Sequence, residues 1–261
     1  MMMRYLNSYK KIYENKQDID SICERYGITN YTIRPDGVVD VDGGVHLYSK
    51  NLTKLPLKFG KVSGAFDCSD NELTSLSGCP SEVGGRFDCS NNKLTSLEHC
   101  PSEVGGRFDC SNNKLTSLEH CPSEVGGYFN CSYNKLISLY GCPRRVVGYF
   151  SCSDNKLISL SGCPQQIVGD FSCSYNLITS LEHCPQQVDG AFYCTGNPVI
   201  YIVRGFIRSD DKNELTELFN DTDIIQDGDV VIYDRLVWFF EEIGIQLPNI
   251  DEIAKHYKII K

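Results

Sequence analysis

The chain of 261 residues lacks several features that would narrow its role. There is no basic excess: 25 lysines and arginines stand against 34 aspartates and glutamates, a formal net charge of −9. Phosphate contacts dominate nucleic-acid affinity. With neither a basic excess nor a basic stripe evident, nucleic acid is not an expected partner. No run approaches the roughly 20 apolar residues of a membrane-spanning helix, so a membrane is not expected either. The opening MMMRYLNSYKKIYENK has basic residues but no apolar stretch or small-residue cleavage site, so it does not read as a secretory signal. With Tyr5, Ile12 and Tyr13 among polar neighbours it predicts a short amphipathic helix. Glycine-rich phosphate loops, HExxH and GxSxG are all missing, so no enzymatic activity, cofactor or metal is expected. The 14 cysteines are too sparse for a disulfide scaffold, and without an export signal reduced thiols are the default.

What is present is a repeat. VGGRFDCSNNKLTSLEHCPSE fills Val83–Glu103 and recurs unchanged over Val104–Glu124. A period of 21 aligns nearly everything from Val62 to Ile202. Each unit opens on Val or Ile, with glycine two places on (Gly85, Gly106), then phenylalanine (Phe87, Phe108) and cysteine (Cys89, Cys110). An asparagine follows three later: Asn71, Asn92, Asn113, Asn134, Asn155, Asn176 and Asn197. Two aliphatic columns and a Cys-Pro pair close the unit. Val41–Lys61 fits the frame weakly, with Val45, Leu47, Leu52 and Leu55 in the apolar columns and its asparagine displaced to Asn51. Short periods of this kind mark solenoids, whose terminal units diverge.

One such unit buries too little to fold alone, so stacking on neighbours must hold it. Alternation in GRFDCS sends Phe87 and Cys89 inward and Arg86 and Asp88 outward. Parallel stacking at about 4.8 Å per coil follows. The segment NNKLTSLEHCPSE is too short and too proline-bound for a regular helix, so it is expected to be extended or 3₁₀. The asparagine column predicts an inward amide ladder that satisfies backbone groups where the chain leaves the sheet.

These columns resemble the leucine-rich repeat, in the form x-x-x-F-x-C-x-x-N-x-L-x-x-L carried by Phe87, Cys89, Asn92, Leu94 and Leu97. The length is similar to the short repeats of bacterial secreted effectors, and the cysteine- and glycine-rich flavour to repeat proteins of large tailed phages. One departure is the usual first leucine column, here Ser63, Gly84, Gly105, Gly126, Val147, Val168 and Asp189, with bulk moved one place earlier. The resemblance implies an α+β chain built on a leucine-rich-repeat-like solenoid. It would have a parallel β-sheet, about seven to eight coils and a largely helix-free convex side. Similar effectors can carry a C-terminal ubiquitin-ligase domain with a catalytic cysteine, but no cysteine follows Cys194.

Three regions follow. Residues 1–40 form an N-terminal α+β cap: the first helix, a second in DIDSICERYG capped by Asp18 and stopped by Gly27, and a hairpin in NYTIRPDGVVDV around Pro-Asp-Gly. Residues 41–202 form the solenoid. Residues 203–261 form a C-terminal helical cap, with helices in DDKNELTELFND, DVVIYDRLVWFFEEIG and NIDEIAKHYKII.

Several groups invite chemistry. The cysteines read as buried apolar columns, with inter-coil disulfides or a metal as alternatives; His99-Cys100 and its repeats face opposite sides, which disfavours a shared ion. The Thr74–Thr95–Thr116 and Ser75–Ser180 rows fit turn hydrogen bonds better than an ice-binding face. The stacked Asp67, Asp88 and Asp109 repel, and Arg86 and Arg107 beside them can offset this. A calcium ladder is a lesser alternative. Tyrosines gather in the later coils of the same face, and Tyr and Arg are enriched at binding hot spots. The expected partner-binding residues are Arg86, Arg107, Tyr128, Tyr149, Asp88, Asp109, Asn130, Tyr133, Tyr175 and Tyr193. An aromatic ladder serving only the sheet is the plainer alternative. The expected function is a non-enzymatic protein–protein interaction module in the cytoplasm of the producing or infected cell. A structural or packaged phage virion protein, or a secreted or injected effector acting on a host protein, are the alternatives.

Overall fold

The computed structural model describes residues 16–179, 181, 183–197, 225–226, 230–242, 247, 250–255 and 257–260. The chain is a parallel-strand β-solenoid of about seven turns. Each turn contributes two strands of two residues rather than one. The Val/Ile column forms the first, as in Glu82–Val83, Glu103–Val104 and Glu124–Val125. The phenylalanine column forms the second, as in Phe87–Asp88, Phe108–Asp109 and Phe129–Asn130. Stacking makes an eight-stranded sheet from the second set, and the first set together with the N-terminal strand Tyr31–Ile33 makes a nine-stranded one. The single sheet expected from sequence is therefore two. The bulk displaced from the usual leucine column to the Val/Ile position supplies the inward side chains of the nine-stranded ladder: Val62, Val83, Val104, Val125, Val146, Ile167 and Val188 are all buried.

Register is set by the repeat itself, since Phe66 pairs with Phe87, Phe87 with Phe108 and Phe108 with Phe129. From Phe66 to Phe171 each ladder phenylalanine N–H donates to the carbonyl twenty residues on, as Phe87 to Arg107 at 2.8 Å and Phe108 to Tyr128 at 2.9 Å. The rings from Phe66 to Phe171 have no solvent exposure and stack at centroid distances of 5.2 to 5.9 Å. The two aliphatic columns, Leu73 through Ile178 and Leu76 through Leu181, are equally dry. Between the two strands the backbones of successive coils nearly touch. A Cβ on Gly106 would lie 2.8 Å from the Gly85 carbonyl carbon, which explains glycine at that corner in every coil.

The asparagine amides form a ladder. Asn113 Nδ2 donates to the carbonyls of Cys89, Cys110 and Ser111 at 3.0, 3.2 and 3.1 Å, while its Oδ1 accepts the Leu94 N–H at 2.9 Å. Asn71, Asn92, Asn134, Asn155 and Asn176 repeat this pattern. Asn197 repeats its main contacts, donating to Cys173 and Cys194 and accepting the Ile178 N–H.

At the N-terminal end, residues 16–25 are helical and Gly27 follows at φ +66. Tyr31–Ile33 pairs antiparallel with Val39–Val41, which joins the nine-stranded sheet against Phe59–Val62. The helix expected before residue 16, the last residues of the solenoid and the helix expected in DDKNELTELFND lie outside the described residues. Towards the C-terminus the structure has the helix Tyr233–Glu242, a short helix Ile250–Ile253 and a three-stranded sheet of Ile225–Gln226, Val230–Ile232 and Lys258–Ile260. That sheet was not foreseen: Val230–Ile232 and Lys258–Ile260 lie in stretches read wholly as helix, and their aliphatic runs pair in parallel. Tyr257 ties this piece to the solenoid, its hydroxyl donating to the Thr179 carbonyl at 2.6 Å. Among the described residues no helix is long and apolar enough to cross a membrane.

Candidate functional site

The outward face of the phenylalanine ladder changes character along the stack. In the early coils the outward residue is aspartate, and its carboxylate closes the turn that follows. Asp67 Oδ1 accepts the Ser69 N–H at 3.1 Å and hydroxyl at 2.6 Å; Asp88 and Asp109 do the same for Ser90 and Ser111. Arg86 is ion-paired to Asp67. Arg107 does not repeat that bond; its guanidinium lies over the Tyr128 ring, 5.2 Å from the centroid. Asp88 is thus left between two like charges. Burial, with Asp109 and Asp67 beside it, raises its pKa above the ordinary aspartate value despite the Ser90 hydrogen bonds. Burial likewise raises that of Tyr128.

In the later coils hydroxyls replace carboxylates. Ser132 and Ser151 hydroxyls lie 2.6 Å apart, Ser151 donates to Ser153 at 3.3 Å, and Ser153 and Ser172 lie 2.7 Å apart. This chain floors a groove of about 630 Å³. Tyr149 and Tyr193 reach it from the strand side, Tyr133, Asp154 and Tyr175 from the turn side. Tyr133, Tyr175 and Tyr193 are 56, 60 and 49% exposed.

The turn-side column has an unusual backbone. Asp70, Asn91, Asn112, Tyr133, Asp154 and Tyr175 all have φ between +52 and +55, and Gly196 has +75. Asn, Asp and Gly tolerate this left-handed conformation, whereas for a bulky residue it is an outlier. Tyr133 and Tyr175 therefore carry strain that their neighbours in the column avoid. A Cβ at Gly196 would collide with the Tyr175 ring, which lies over that glycine.

The ten residues proposed from sequence thus divide. Tyr133, Tyr149, Tyr175, Tyr193 and Asn130 line one groove. Arg86, Arg107, Tyr128, Asp88 and Asp109 form a neighbouring cluster in which Arg86 pairs with Asp67, Arg107 lies on Tyr128 and the Tyr128 hydroxyl approaches Asp109. Asp109, expected on the exposed face, is buried; the Tyr128 hydroxyl and the Asn130 amide approach its Oδ2 at 3.5 and 3.2 Å. The serine floor and Asp154 were missed as site residues. The 21-residue period could have placed both, because Asp154 stands midway between Tyr133 and Tyr175 in one column.

Two further surfaces differ from expectation. A larger groove, about 870 Å³, runs over Gly84, Gly105 and Gly126 on the other ladder. It has no aromatic wall, and its row of Lys61, Glu82, Glu103, Glu124 and Arg145 places a cation at each end, with Lys61 bonded to Glu82 at 2.6 Å. A basic stripe also exists, contrary to the sequence reading. Lys93, Lys114, Lys135 and Lys156 share one exposed column, hidden in an acidic composition, with Lys93 paired to Glu72 at 3.2 Å.

The cysteines are core and near-core thiols, all free among the described residues. Burial pushes Cys100 and Cys142 up to about 12 and the inner Cys89, Cys110 and Cys131 well above the usual thiol range. Nucleophilic or ligating chemistry needs thiolate, and these sites disfavour it. The Cys100 and Cys163 thiols instead donate to the His120 and His183 carbonyls at 2.8 and 3.0 Å. Ser96, Ser117 and Ser138 hydroxyls accept the N–H two residues on, closing turns. Among the described residues no group of three or more His, Cys, Asp or Glu could hold a metal ion. In comparisons with known proteins, no family model and no curated protein matches this chain.

Proposed function

We propose that this chain is a non-enzymatic interaction module that binds a protein partner on the later coils of the phenylalanine-ladder face. The observation that carries this reading is the pair Tyr133 and Tyr175. Both are large, more than half exposed and held in the left-handed region, at positions where other coils use Asn or Asp. Such strain costs on the order of 1–3 kcal/mol and clusters at functional sites. Exposed aromatics beside polar floors are also the usual anchors of binding hot spots. The reading keeps the leucine-rich-repeat likeness as the evolutionary setting and the cytoplasm as the location, where thiol columns in a core are compatible with a reducing milieu.

The test uses the protein's own alternatives. Tyr133→Asn and Tyr175→Asn install the residue that stands at 91 and 112. Both variants should fold with equal or higher stability and lose a partner that wild type captures from lysate. Unchanged capture by the double variant would remove this face from the account.

A further inference from the structure

The early and late coils of this face treat positive charge differently. In the early coils the chain supplies its own guanidiniums, Arg86 against Asp67 and Arg107 on Tyr128. In the later coils the same column continues as Tyr149, Asp170 and Ala191, so no arginine is provided. The groove there is lined by four tyrosines and one charged residue, Asp154. The Asp154 backbone is bonded, its N–H to Ser174 at 2.9 Å. Its half-buried carboxylate has no hydrogen-bond or ion-pair partner among the described residues.

Tyr133 and Tyr175 flank Asp154, one coil to either side. At about 4.8 Å per coil the two tyrosine positions are roughly 9.6 Å apart, and the Tyr175 ring leans on over Gly196. A cation on Asp154 therefore meets the tyrosine wall of the groove rather than a pair of facing rings, and lying within about 6 Å of one ring is enough for cation–π attraction. An uncompensated carboxylate beneath it adds charge complementarity, and a charged hydrogen bond to a guanidinium is among the stronger polar contacts.

We propose that this groove receives an arginine or lysine side chain on an extended segment of the partner protein, lodged against Asp154 within the wall formed by Tyr133, Tyr149, Tyr175 and Tyr193. The partner's cation would play in the late coils the part that Arg86 and Arg107 play in the early ones. This rests on the interaction-module reading and names what the module recognises.

The test is a titration of the full chain, followed by isotope-edited NMR, with a peptide alternating glycine and arginine. The same peptide with citrulline serves as the control, and one with lysine, which keeps the positive charge, should also bind. The account expects shifts confined to Tyr133, Tyr149, Asp154, Tyr175 and the serine floor. It expects binding at least about tenfold weaker for citrulline. Asp154→Asn and Tyr175→Asn should each weaken the arginine peptide by about tenfold, while Glu119→Gln, on another face, should leave it unchanged. Equal binding of the citrulline peptide, shifts located elsewhere, or an Asp154→Asn variant that binds as wild type would each overturn the inference. The two readings fail separately. If Tyr133→Asn loses the captured partner while Asp154→Asn keeps it, the cation site falls and the module stands. If neither loses it, both fall.

Discussion

Asn113→Ala is the perturbation whose cost can be worked out most fully. The side chain is 9% exposed and makes four hydrogen bonds, three to carbonyls and one from the Leu94 N–H. Alanine leaves that N–H without its acceptor inside the stack. An orphaned buried donor costs about 1–3 kcal/mol, and each lost ordinary bond about 0.5–1.5. The carbonyls of Cys89, Cys110 and Ser111 retain a second lone pair, so they sit at the low end of that range. The sum is about 2.5–4.5 kcal/mol. For a chain of this size each kcal/mol moves the melting temperature by about 2–4 °C, so a drop of roughly 5–18 °C is expected. Because coils couple mainly to their neighbours, the loss should appear locally as well. Hydrogen exchange at Leu94 should accelerate more than at Leu136 or Leu157. Asn113→Asp is the sharper control, since it keeps shape and acceptor but loses the donor and adds a buried charge; it should be no better tolerated. A calorimetric shift under 2 °C, or exchange at Leu94 unchanged, would refute the ladder as a source of stability.

Other outcomes follow from the same geometry. Asp88→Asn should stabilise the protein at neutral pH by about 1 kcal/mol, because Asn130 at the equivalent position donates its amide to Asp109. The wild-type Asp88 has a folded pKa above its unfolded value near 4. Its contribution is therefore fully present below the unfolded pKa and lost as pH rises through the folded one; wild type should gain stability on mild acidification and the variant should lack that gain in denaturant titrations. His120 sits at φ +72 where Gly141 and Gly162 occupy the same turn position; His120→Gly should raise stability by about 0.5–1 kcal/mol, and Gly141→Ala should lower it. Native protein at neutral pH should react with a thiol reagent far more slowly than unfolded protein, in which all 14 cysteines are available.

The solenoid was legible because a strict 21-residue period writes register directly into the sequence. Once Phe87 pairs with Phe108, every column is fixed, and the dry phenylalanines and the asparagine amides follow. The Val/Ile ladder was less legible. Strands of two residues such as Glu103–Val104 are too short for any alternation to show. The Lys93–Lys156 column went unnoticed because Coulomb fields depend on which residues stack, while net charge sums over all faces. The face residues were only half legible. Whether Arg107 answers Asp88 or lies on Tyr128 depends on side-chain geometry that the period does not encode. The left-handed turn was likewise hidden, and only the backbone shows that Tyr133 and Tyr175 occupy an asparagine's conformation.

The most direct test of the stacked ladder is the measurement of scalar couplings across its hydrogen bonds in a deuterated, isotope-labelled sample. The account predicts couplings from the amide nitrogens of Phe66, Phe87, Phe108, Phe129 and Phe150 to the carbonyl carbons of Arg86, Arg107, Tyr128, Tyr149 and Asp170. Couplings from these amides to carbonyls four residues back, or rapid exchange of the same amides with solvent, would contradict it.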